Sequence, residues 1–444
     1  MMKKNLTKIV IAFSLLTTLI FLPGAICRSP QVKPDPVALE IWGVWDDSDS
    51  FDEIIRDYKT AHDNVSIKYY RKTFEEYESL IVNSMAEGMG PDVLLIGNNW
   101  VGRYKNKIVP MPATLPYPKE LANPMTVMSA VDLQDSFADV LSDDVSANGG
   151  AIYGLPLSVD TLALYYNKDI LNNAGIPQPP RTWTALKDYV PKLRKIDSLG
   201  KITQAGISLG TARNIDRASD ILSLLMLQSG ASMVDYDRTK ATFAQNVESG
   251  DELFSPGEDA LKFYTAFANS SKETYTWNSS MIGSIDAFVQ GKSAMMLGYS
   301  YHADEIERKS PHLNFAVSAC PQIQGSDVDV NFANYWIFTV SRNSKNPNVA
   351  WDFIKFMTSK EEAVKYLETA KRPTARKDLV LAQVENANLK VFNSQVLTAR
   401  DWYQKDNNAV EKIFLDMIDN VNRGEKTYSE AVKYAESRVT QTMR

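Results

Sequence analysis

Apolar residues in the first hundred positions follow two different spacings. Three segments alternate or run apolar in the manner of strands: 38–45, 65–70 and 91–97. The stretches between them, 51–58 and 74–87, repeat apolar residues at helical spacing, and Gly88 ends the second stretch. This strand-helix-strand-helix-strand order predicts an α/β domain built on a mainly parallel sheet.

Aromatic and polar residues follow the predicted strands at their carboxyl ends. Trp45 and Asp46 come after the first strand, and Asn99 and Trp100 come after the third. Open α/β sheets bind their ligands at this edge, where the strands end. The sequence therefore predicts that these four side chains face a ligand.

A second α/β region extends from about residue 155 to residue 317. Within it, the helix predicted at 284–290 ends at Gly291 and leads into an apolar strand, which Tyr299 and Tyr301 follow. Further along the chain, the predicted strand 336–341 precedes a helix with Pro347 in its first turn.

Three stretches of the chain carry a resemblance to a known family. In 154–168, Gly-Leu-Pro-Leu leads to Asp160 and then, through an alternating strand, to Tyr-Tyr-Asn-Lys. In 284–301, a helix ended by glycine feeds an Ala-Met strand that runs into aromatic residues. In 336–374, a strand is followed by an Ala-Trp-Asp-Phe-Ile helix and a basic-proline turn. Their order and spacing resemble those of extracellular solute-binding protein family 1 of ABC importers, the maltose-binding-protein-like sugar-binding proteins.

The resemblance implies an α/β, two-lobed periplasmic-binding-protein-like fold of type II. Each lobe is expected to hold a mixed, mainly parallel sheet flanked by helices. Three crossovers, near 153–157, 317–322 and 369–373, would form a hinge for rigid-body closure. The expected segments are a signal peptide or membrane anchor (1–27), a linker (28–36), two first-lobe parts (37–153 and 318–369) and two second-lobe parts (154–317 and 370–444).

The first 27 residues are typical of a targeting segment. Lys3, Lys4 and Lys8 precede an apolar stretch, 9–22, that is short for a transmembrane helix. A cleaved signal peptide and an uncleaved anchor are both open interpretations. Cys27 is a candidate for lipid attachment, although Ile26 stands where a lipobox usually has a small residue. Each interpretation predicts an extracytoplasmic location, periplasmic or at the cell surface.

Composition and motifs argue against several classes of function. The 444 residues are 44% hydrophobic with a net charge of −6, so nucleic acid, which requires a basic surface, is not expected as a partner. The three histidines and two cysteines lack metal-ligand spacing, and the chain has no phosphate-loop or nucleophile-elbow motif. We therefore predict no cofactor, no metal and no enzymatic activity.

Aromatic rings near strand ends indicate a carbohydrate ligand. A ring covers the apolar C–H face of a sugar, while Asp, Asn and Arg side chains hydrogen-bond its hydroxyls. Alternation assigns Trp42 and Trp336 to the core. Besides the four residues at the first-lobe strand ends, the resemblance implies Asp160, Tyr299, Tyr301, Arg372 and Trp402 as candidates, and Trp277 is a candidate for a lid.

The resemblance further implies the role of the chain. As a monomer, it would capture a carbohydrate, expected to be an oligosaccharide, between its lobes and deliver it to the permease subunits of an ABC importer. Contact with the membrane would come only through the N-terminal segment.

Three alternatives for the ligand or activity remain open. Asp46, Asp47 and Asp160, together with several tryptophans, suit a polyamine or other organic cation. The pairs Tyr69-Tyr70 and Tyr165-Tyr166 suggest ferric iron held by tyrosinates, but neighbours on a strand point to opposite faces. A glycan-processing enzyme would need a paired-acid site, and no convincing one is visible in the sequence.

Overall fold

The computed structural model describes residues 35–112, 121, 128–147, 149–249, 252–381 and 387–444. The predicted signal peptide or anchor, Cys27 and nearly all of the linker lie outside the described residues. Within the described ranges, none of the helices combines the length and the apolarity that crossing a membrane requires.

The strands of the described chain are short except for one. Their bounds are β1 (Val37–Gly43), β2 (Val65–Arg71), β3 (Val93–Gly97), β4 (Ile108–Val109), β5 (Val159–Thr161), β6 (Ala163–Asn167), β7 (Lys195–Ile196), β8 (Ile202–Gln204), β9 (Val247–Ser249), β10 (Glu252–Phe254), β11 (Met295–Gly298), β12 (Phe315–Ser318), β13 (Asn331–Ser341) and β14 (Ala399–Arg400).

The α-helices cover the sheets in both halves of the chain. Their bounds are α1 (Asp49–Ala61), α2 (Phe74–Ala86), α3 (Val101–Tyr104), α4 (Ala130–Ser136), α5 (Asp139–Ala147), α6 (Lys168–Asn173), α7 (Trp183–Leu193), α8 (Ala218–Gln228), α9 (Pro256–Ala266), α10 (Ser284–Val289), α11 (Tyr301–Lys309), α12 (Pro347–Met357), α13 (Lys360–Ala370), α14 (Ala387–Val396), α15 (Asn407–Asn422) and α16 (Tyr428–Thr442).

The sheet of the first lobe is mixed. Its strand order is β14-β13-β3-β1-β2, and β1 pairs in parallel with both β2 and β3. All five residues of β3 are buried, as expected of a central strand with helices on both faces. The long strand β13 returns from much later in the chain and runs antiparallel to β3.

The three-stranded sheet of the second lobe differs from the prediction in strand direction. Its order is β11-β6-β12, and β6 is antiparallel to both neighbours. Parallel pairing in this lobe is limited, among the described residues, to isolated bridges, Ala205 with Ser293 beside β11 and Thr182 with Gln322. The expectation of mainly parallel pairing therefore fails in this sheet, because β6 is sandwiched between two strands that run the opposite way.

Polar side chains at the helix starts explain several boundaries. The Oδ1 atom of Asn167 accepts a hydrogen bond from the Ile170 amide and begins α6. Thr182 does the same for α7, and Thr427 with Glu430 forms a capping box at α16. These caps fix where α6, α7 and α16 begin.

Buried apolar side chains of the described chain form two large clusters, one in each lobe. The first cluster includes Val37 to Val159 and Ala333 to Ala399, and the second includes Leu162 to Phe332 and Trp402 to Met443. The chain passes from the first cluster to the second near Asp160 and near Arg400, and it returns between Phe332 and Ala333. Phe392 of α14 already packs with Ala163 and Tyr165 in a smaller second-lobe cluster.

The three crossings lie side by side. Strand β13 pairs with β5 through Ala333 and Thr161, and with β14 through Phe332 and Arg400. The first crossing is close to the predicted 153–157, and the predicted 317–322 comes before the return between Phe332 and Ala333. After the predicted 369–373, Phe392 packs with second-lobe residues. The exact lobe boundaries stay predictions, but Ala375 belongs to the first core rather than to a second-lobe segment.

Candidate functional site

A cavity of about 580 Å³ lies between the two cores. Its walls come from the carboxyl ends of β1 and β3, from β13 and from the start of α15. Seven of the ten predicted ligand-binding residues line it: Trp45, Asp46, Asn99, Trp100, Asp160, Tyr301 and Arg372. The strand-end residues predicted in the first lobe therefore meet at one cavity, and their contact with a ligand stays a prediction.

Four aromatic side chains, Trp45, Phe74, Trp100 and Trp336, form a continuous aromatic wall on the first-lobe side. The ring centroid of Trp45 lies 4.8 Å from that of Phe74 and 5.3 Å from that of Trp336. Trp336 is in turn 5.2 Å from Trp100. Tilted and edge-to-face contacts of this kind stabilise the rings and hold their orientation.

The members of the aromatic wall differ in how much of each ring is available. Trp45 is 40% exposed and Phe74 is 43% exposed, but Trp100 is only 5% exposed. Trp100 stacks on Tyr104 at 5.7 Å and has the Arg103 guanidinium 5.3 Å from its ring. Trp45 and Phe74 therefore offer open surface for a ligand, while Trp100 supports the wall from behind.

A cluster of three polar side chains lies beside the aromatic wall. Tyr366 donates a hydrogen bond of 2.8 Å to Asp46 Oδ2, and Arg372 Nη2 lies 3.5 Å from Asp46 Oδ1. Burial disfavours the charge of the arginine, but Asp46 and Tyr366 outweigh it and raise the pKa of Arg372. Asp46 and Arg372 thus face the cavity as an ion pair rather than as separate charges.

Asp160 is held by the second lobe at the first crossing. Its Oδ2 atom accepts hydrogen bonds from the Ser300 amide at 2.9 Å and the Ser300 hydroxyl at 2.7 Å. Its Oδ1 atom accepts from the Thr161 amide at 2.8 Å. Burial raises the pKa of Asp160 to about 6, although the hydrogen bonds from Ser300 and Thr161 act in the opposite direction.

The second-lobe end of the cavity is polar. Arg217, Asn407 and Glu411 line it, and all three also line an adjoining cavity of about 70 Å³. The Arg217 guanidinium donates to Asp220 Oδ2 through Nε at 2.9 Å and Nη2 at 2.6 Å. Burial raises the pKa of Glu411, against the lowering effect of Arg217. The cavity is therefore lined by hydrogen-bond donors and acceptors as well as by the aromatic wall.

Arg217 has an unusual backbone conformation. Its φ is 59°, in the left-handed region that non-glycine residues seldom occupy. It stands immediately before α8, and the hydrogen bonds to Asp220 hold its side chain over the first turn of that helix. Strain of this sort concentrates at binding sites.

Three predicted ligand-binding residues lie away from the main cavity. Trp277 is completely buried in the second core, so the lid role is wrong. Tyr299 is also completely buried; its hydroxyl donates to Asp220, and its ring stacks at 5.8 Å behind that of Tyr301. Trp402 is 5% exposed, packs against Phe414 and lines smaller cavities but not the main one.

Sequence reasoning missed several lining residues and misassigned one. Trp336 is half-buried and belongs to the aromatic wall, so its assignment to the core was wrong. Asn334, Trp336 and Phe338 share one face of β13 and line the cavity, but Tyr335 of the other face lines it too, so alternation alone could not identify these residues. Phe74 and Tyr366 reach the cavity from helices and carried no signal.

The described residues give no support to a tyrosinate iron site. No group of three or more His, Cys, Asp or Glu side chains that could complete such a site occurs in that part of the chain. The Tyr165 hydroxyl donates to the Tyr299 carbonyl in the core, and the Tyr69 hydroxyl donates to the Asp46 carbonyl. These hydroxyls therefore act as structural donors.

Comparison with known proteins yields a family match and relatives of similar length. The family described as bacterial extracellular solute-binding protein matches residues 53–392. The maltodextrin-binding protein MdxE of Bacillus subtilis is 24% identical over 337 residues, which cover 72% of this chain and 70% of that protein. The galactooligosaccharide-binding protein of Bacillus subtilis is 22% identical over 344 residues, covering 75% and 72% respectively.

A solved structure shares the fold. The cyclic alpha-maltosyl-1,6-maltose binding protein from Arthrobacter globiformis superimposes with a TM-score of 0.75 at 18% identity, covering 92% of this chain and 99% of that one. Together with the family match, this likeness confirms the predicted two-lobed α/β fold.

Proposed function

The chain belongs to the bacterial extracellular solute-binding protein family, and on that premise we propose that it captures a carbohydrate in the interlobe cavity. An oligosaccharide is the preferred ligand, and the permease of an ABC importer receives it. The observation that carries the proposal is the aromatic wall, whose partly exposed Trp45 and Phe74 line the same cavity as polar groups at the start of α15.

The cavity suits an amphipathic ligand of moderate size. Its volume of about 580 Å³ lies within the range of about 300–1,000 Å³ that is usual for small-molecule sites. A sugar offers C–H faces to aromatic rings and hydroxyls to carboxylate, amide and guanidinium groups. The named ligands of the two Bacillus subtilis relatives, a maltodextrin and a galactooligosaccharide, support the same class.

A polyamine or other organic cation is the rival ligand. It would require unpaired negative charge in the cavity, since a buried charge needs a partner. Asp46 is paired with Arg372, Glu78 lies 3.0 Å from Arg103, and Asp160 accepts from Ser300. Because these acids already have partners in the protein, we favour the neutral sugar.

Enzymatic activity is not part of the proposal. The family and the relatives named above are binding proteins. A glycosidase would need one carboxyl group free to donate a proton and another facing the same bond. Asp46 and Asp160, the carboxyl groups predicted for the site, are both held by protein donors.

The family also indicates where the protein works. Extracellular solute-binding proteins act outside the cytoplasm, which agrees with the predicted extracytoplasmic location. We further propose that the N-terminal segment directs export, with or without a retained or lipid anchor at Cys27, and that the protein acts as a monomer.

A thermal-shift screen tests the ligand class. Maltotetraose, a galactooligosaccharide, spermidine and a tripeptide would each be added to the protein, because a ligand that binds only the folded state raises the melting temperature. We expect stabilisation by at least one sugar and none by spermidine. Hits would be confirmed by calorimetric titration at low and high salt, together with a search for cleavage products.

The outcomes of the screen are distinct. Stabilisation by spermidine, with an affinity that falls as salt rises, would identify an organic cation, and not a sugar, as the ligand. Release of shortened sugars would show that the protein is an enzyme and not a binding protein. Failure of an extended sugar panel to stabilise the protein would count against a carbohydrate ligand.

A further inference from the structure

We propose that the turn formed by residues 98–104 clamps the two lobes together, and that Arg103 is a positioning residue that links the aromatic wall to the second lobe. The expected effect of Arg103 on ligand affinity rests on the proposed function. The expected effect on the distance between the lobes does not.

Three residues of the turn contact one segment at the third crossing. Asn98 Nδ2 donates a hydrogen bond to Asp401 Oδ2. Gly102 lies against the Tyr403 ring so closely that a Cβ atom there would come 2.7 Å from the Tyr403 hydroxyl. Arg103 Nη1 is 4.0 Å from Asp406 Oδ1.

The two sides of this contact belong to different lobes. Val101 and Tyr104 of the turn are buried in the first core. Trp402 and Val410 flank the partner segment and are buried in the second core, against which Tyr403 also packs. A movement of one lobe relative to the other must therefore change the distance from Arg103 to Asp406.

The same turn forms part of the ligand cavity. Asn99 and Trp100 line it, and the Arg103 guanidinium lies 5.3 Å from the Trp100 ring. Arg103 Nη2 is also 3.0 Å from Glu78 Oε1, another lining residue. Arg103 thus stands between the aromatic wall on one side and Asp406 of the second lobe on the other.

The guanidinium is incompletely bonded in this arrangement. Its Nε and Nη2 atoms are buried without a hydrogen bond among the described residues, although Glu78 is near enough for an ion pair. Charge-assisted N–H···O bonds are usually about 2.7–2.9 Å long, so the 4.0 Å to Asp406 leaves room for the pair to shorten. We infer that closure of the lobes on a ligand shortens this pair and tightens the support of Trp100.

Lobe separation can be measured without any ligand. Spin labels at Lys59→Cys in α1 and Lys433→Cys in α16, with Cys27→Ser to remove a competing thiol, report the distance between the lobes. The variants are Arg103→Gln, Asp406→Ser and their combination. Serine retains the helix cap that Asp406 provides to the Ala409 amide.

Two controls separate the clamp from general effects of charge. Arg213→Gln breaks an exposed pair with Asp416 and Asp419 inside the second lobe, and should leave the distance distribution unchanged. Arg103→Lys keeps the positive charge and should retain most of the wild-type distribution. Melting temperatures confirm that all variants are folded.

We expect each single variant to shift the distribution toward longer distances, and the double variant to shift it no further. Affinity for maltotetraose, or for a sugar found in the screen if maltotetraose does not bind, should fall about two- to tenfold in either single variant. The double variant should lose no more affinity than a single variant. Unchanged distances in both single variants, or shifts that add in the double variant, would overturn the clamp. A protein that binds no sugar but shows the distance shifts would keep the clamp and lose the carbohydrate ligand.

Discussion

Asp160 and Ser300 join the lobes at the point where the chain first crosses between them. Ser300 donates to Asp160 from its amide and from its hydroxyl, at 2.9 and 2.7 Å. Ser300 precedes α11, so the carboxylate accepts hydrogen bonds at the start of a second-lobe helix. A residue predicted to bind ligand is therefore also a structural acceptor, and only part of its hydrogen-bonding capacity remains for a sugar.

Replacing Asp160 by Asn tests this double role through pH. Because the pKa of Asp160 is raised to about 6 in the folded protein, the folded state holds the proton more tightly than the unfolded chain, where an Asp titrates at about 3.9. The free energy of unfolding should decline as pH rises from about 4 to about 6, and this decline should be smaller in Asp160→Asn. Urea titrations across this range measure it.

The same variant distinguishes ligand contact from capping. A loss of sugar affinity of about 1–3 kcal/mol that changes little with salt would indicate a direct hydrogen bond to the ligand. Unchanged affinity with a lower melting temperature would leave Asp160 as a structural residue at the hinge.

The aromatic wall yields a second prediction. Trp45→Ala should weaken sugar binding by about 1–2 kcal/mol, roughly tenfold, since an exposed ring of the wall is lost. Its stability should change little because Trp45 is 40% exposed. Tyr236→Ala, at a fully exposed position that does not line the cavity, is the control and should retain wild-type affinity in calorimetric titration. Wild-type affinity in Trp45→Ala would remove the ring from the site.

Trp100 is expected to behave differently from Trp45. It is 5% exposed and contacts Tyr104 and Trp336. Trp100→Ala should therefore lower the melting temperature as well as the affinity, because it removes both core packing and support for the wall. Loss of affinity at unchanged stability would show that the ring is mainly a ligand contact.

Trp277 provides a test of the corrected site. It is completely buried in the second core, and Trp277→Ala should cost about 3–5 kcal/mol of unfolding free energy. Under conditions where the variant is folded, its sugar affinity should match that of the wild type. Chemical denaturation and calorimetry provide the two measurements, and a large loss of affinity in the folded variant would restore a role in binding.

Closure about the hinge is the remaining expectation. Two cores joined by three adjacent crossings permit a rigid-body rotation of one lobe on the other. Small-angle scattering with a saturating sugar should show a smaller radius of gyration than without it. An unchanged radius with a ligand that binds tightly would mean that capture needs no large movement.

The first-lobe part of the site was predictable because strand ends are visible in a sequence. Trp45, Asp46, Asn99 and Trp100 follow short apolar strands, and the general position of ligands in α/β sheets did the rest. The fold followed from the resemblance of three stretches, whose local order survives even where overall identity is low.

What the sequence could not supply was long-range pairing. Alternation along β13 separates two faces, but the partners β3, β5 and β14 decide which face meets the cavity, and they are distant in the chain. Trp336 was misassigned for that reason. Trp277 and Trp402 were misplaced because the helices of the second core, which bury them, are assembled from both ends of the lobe.

Strand β13 pairs with strands from distant parts of the chain, and this pairing limits when each core can form. Strand β3 is made early but meets its antiparallel neighbour only when residues 336–340 are available. The second core also needs the last segment of the chain, where the Thr440 hydroxyl accepts from the Ala241 amide and Trp402 packs near Phe243. A polypeptide emerging from its N-terminus therefore holds both cores unfinished until almost all of it is present. Contacts so far apart in sequence make slow folding the expectation, with both cores closing only after the last helices have formed.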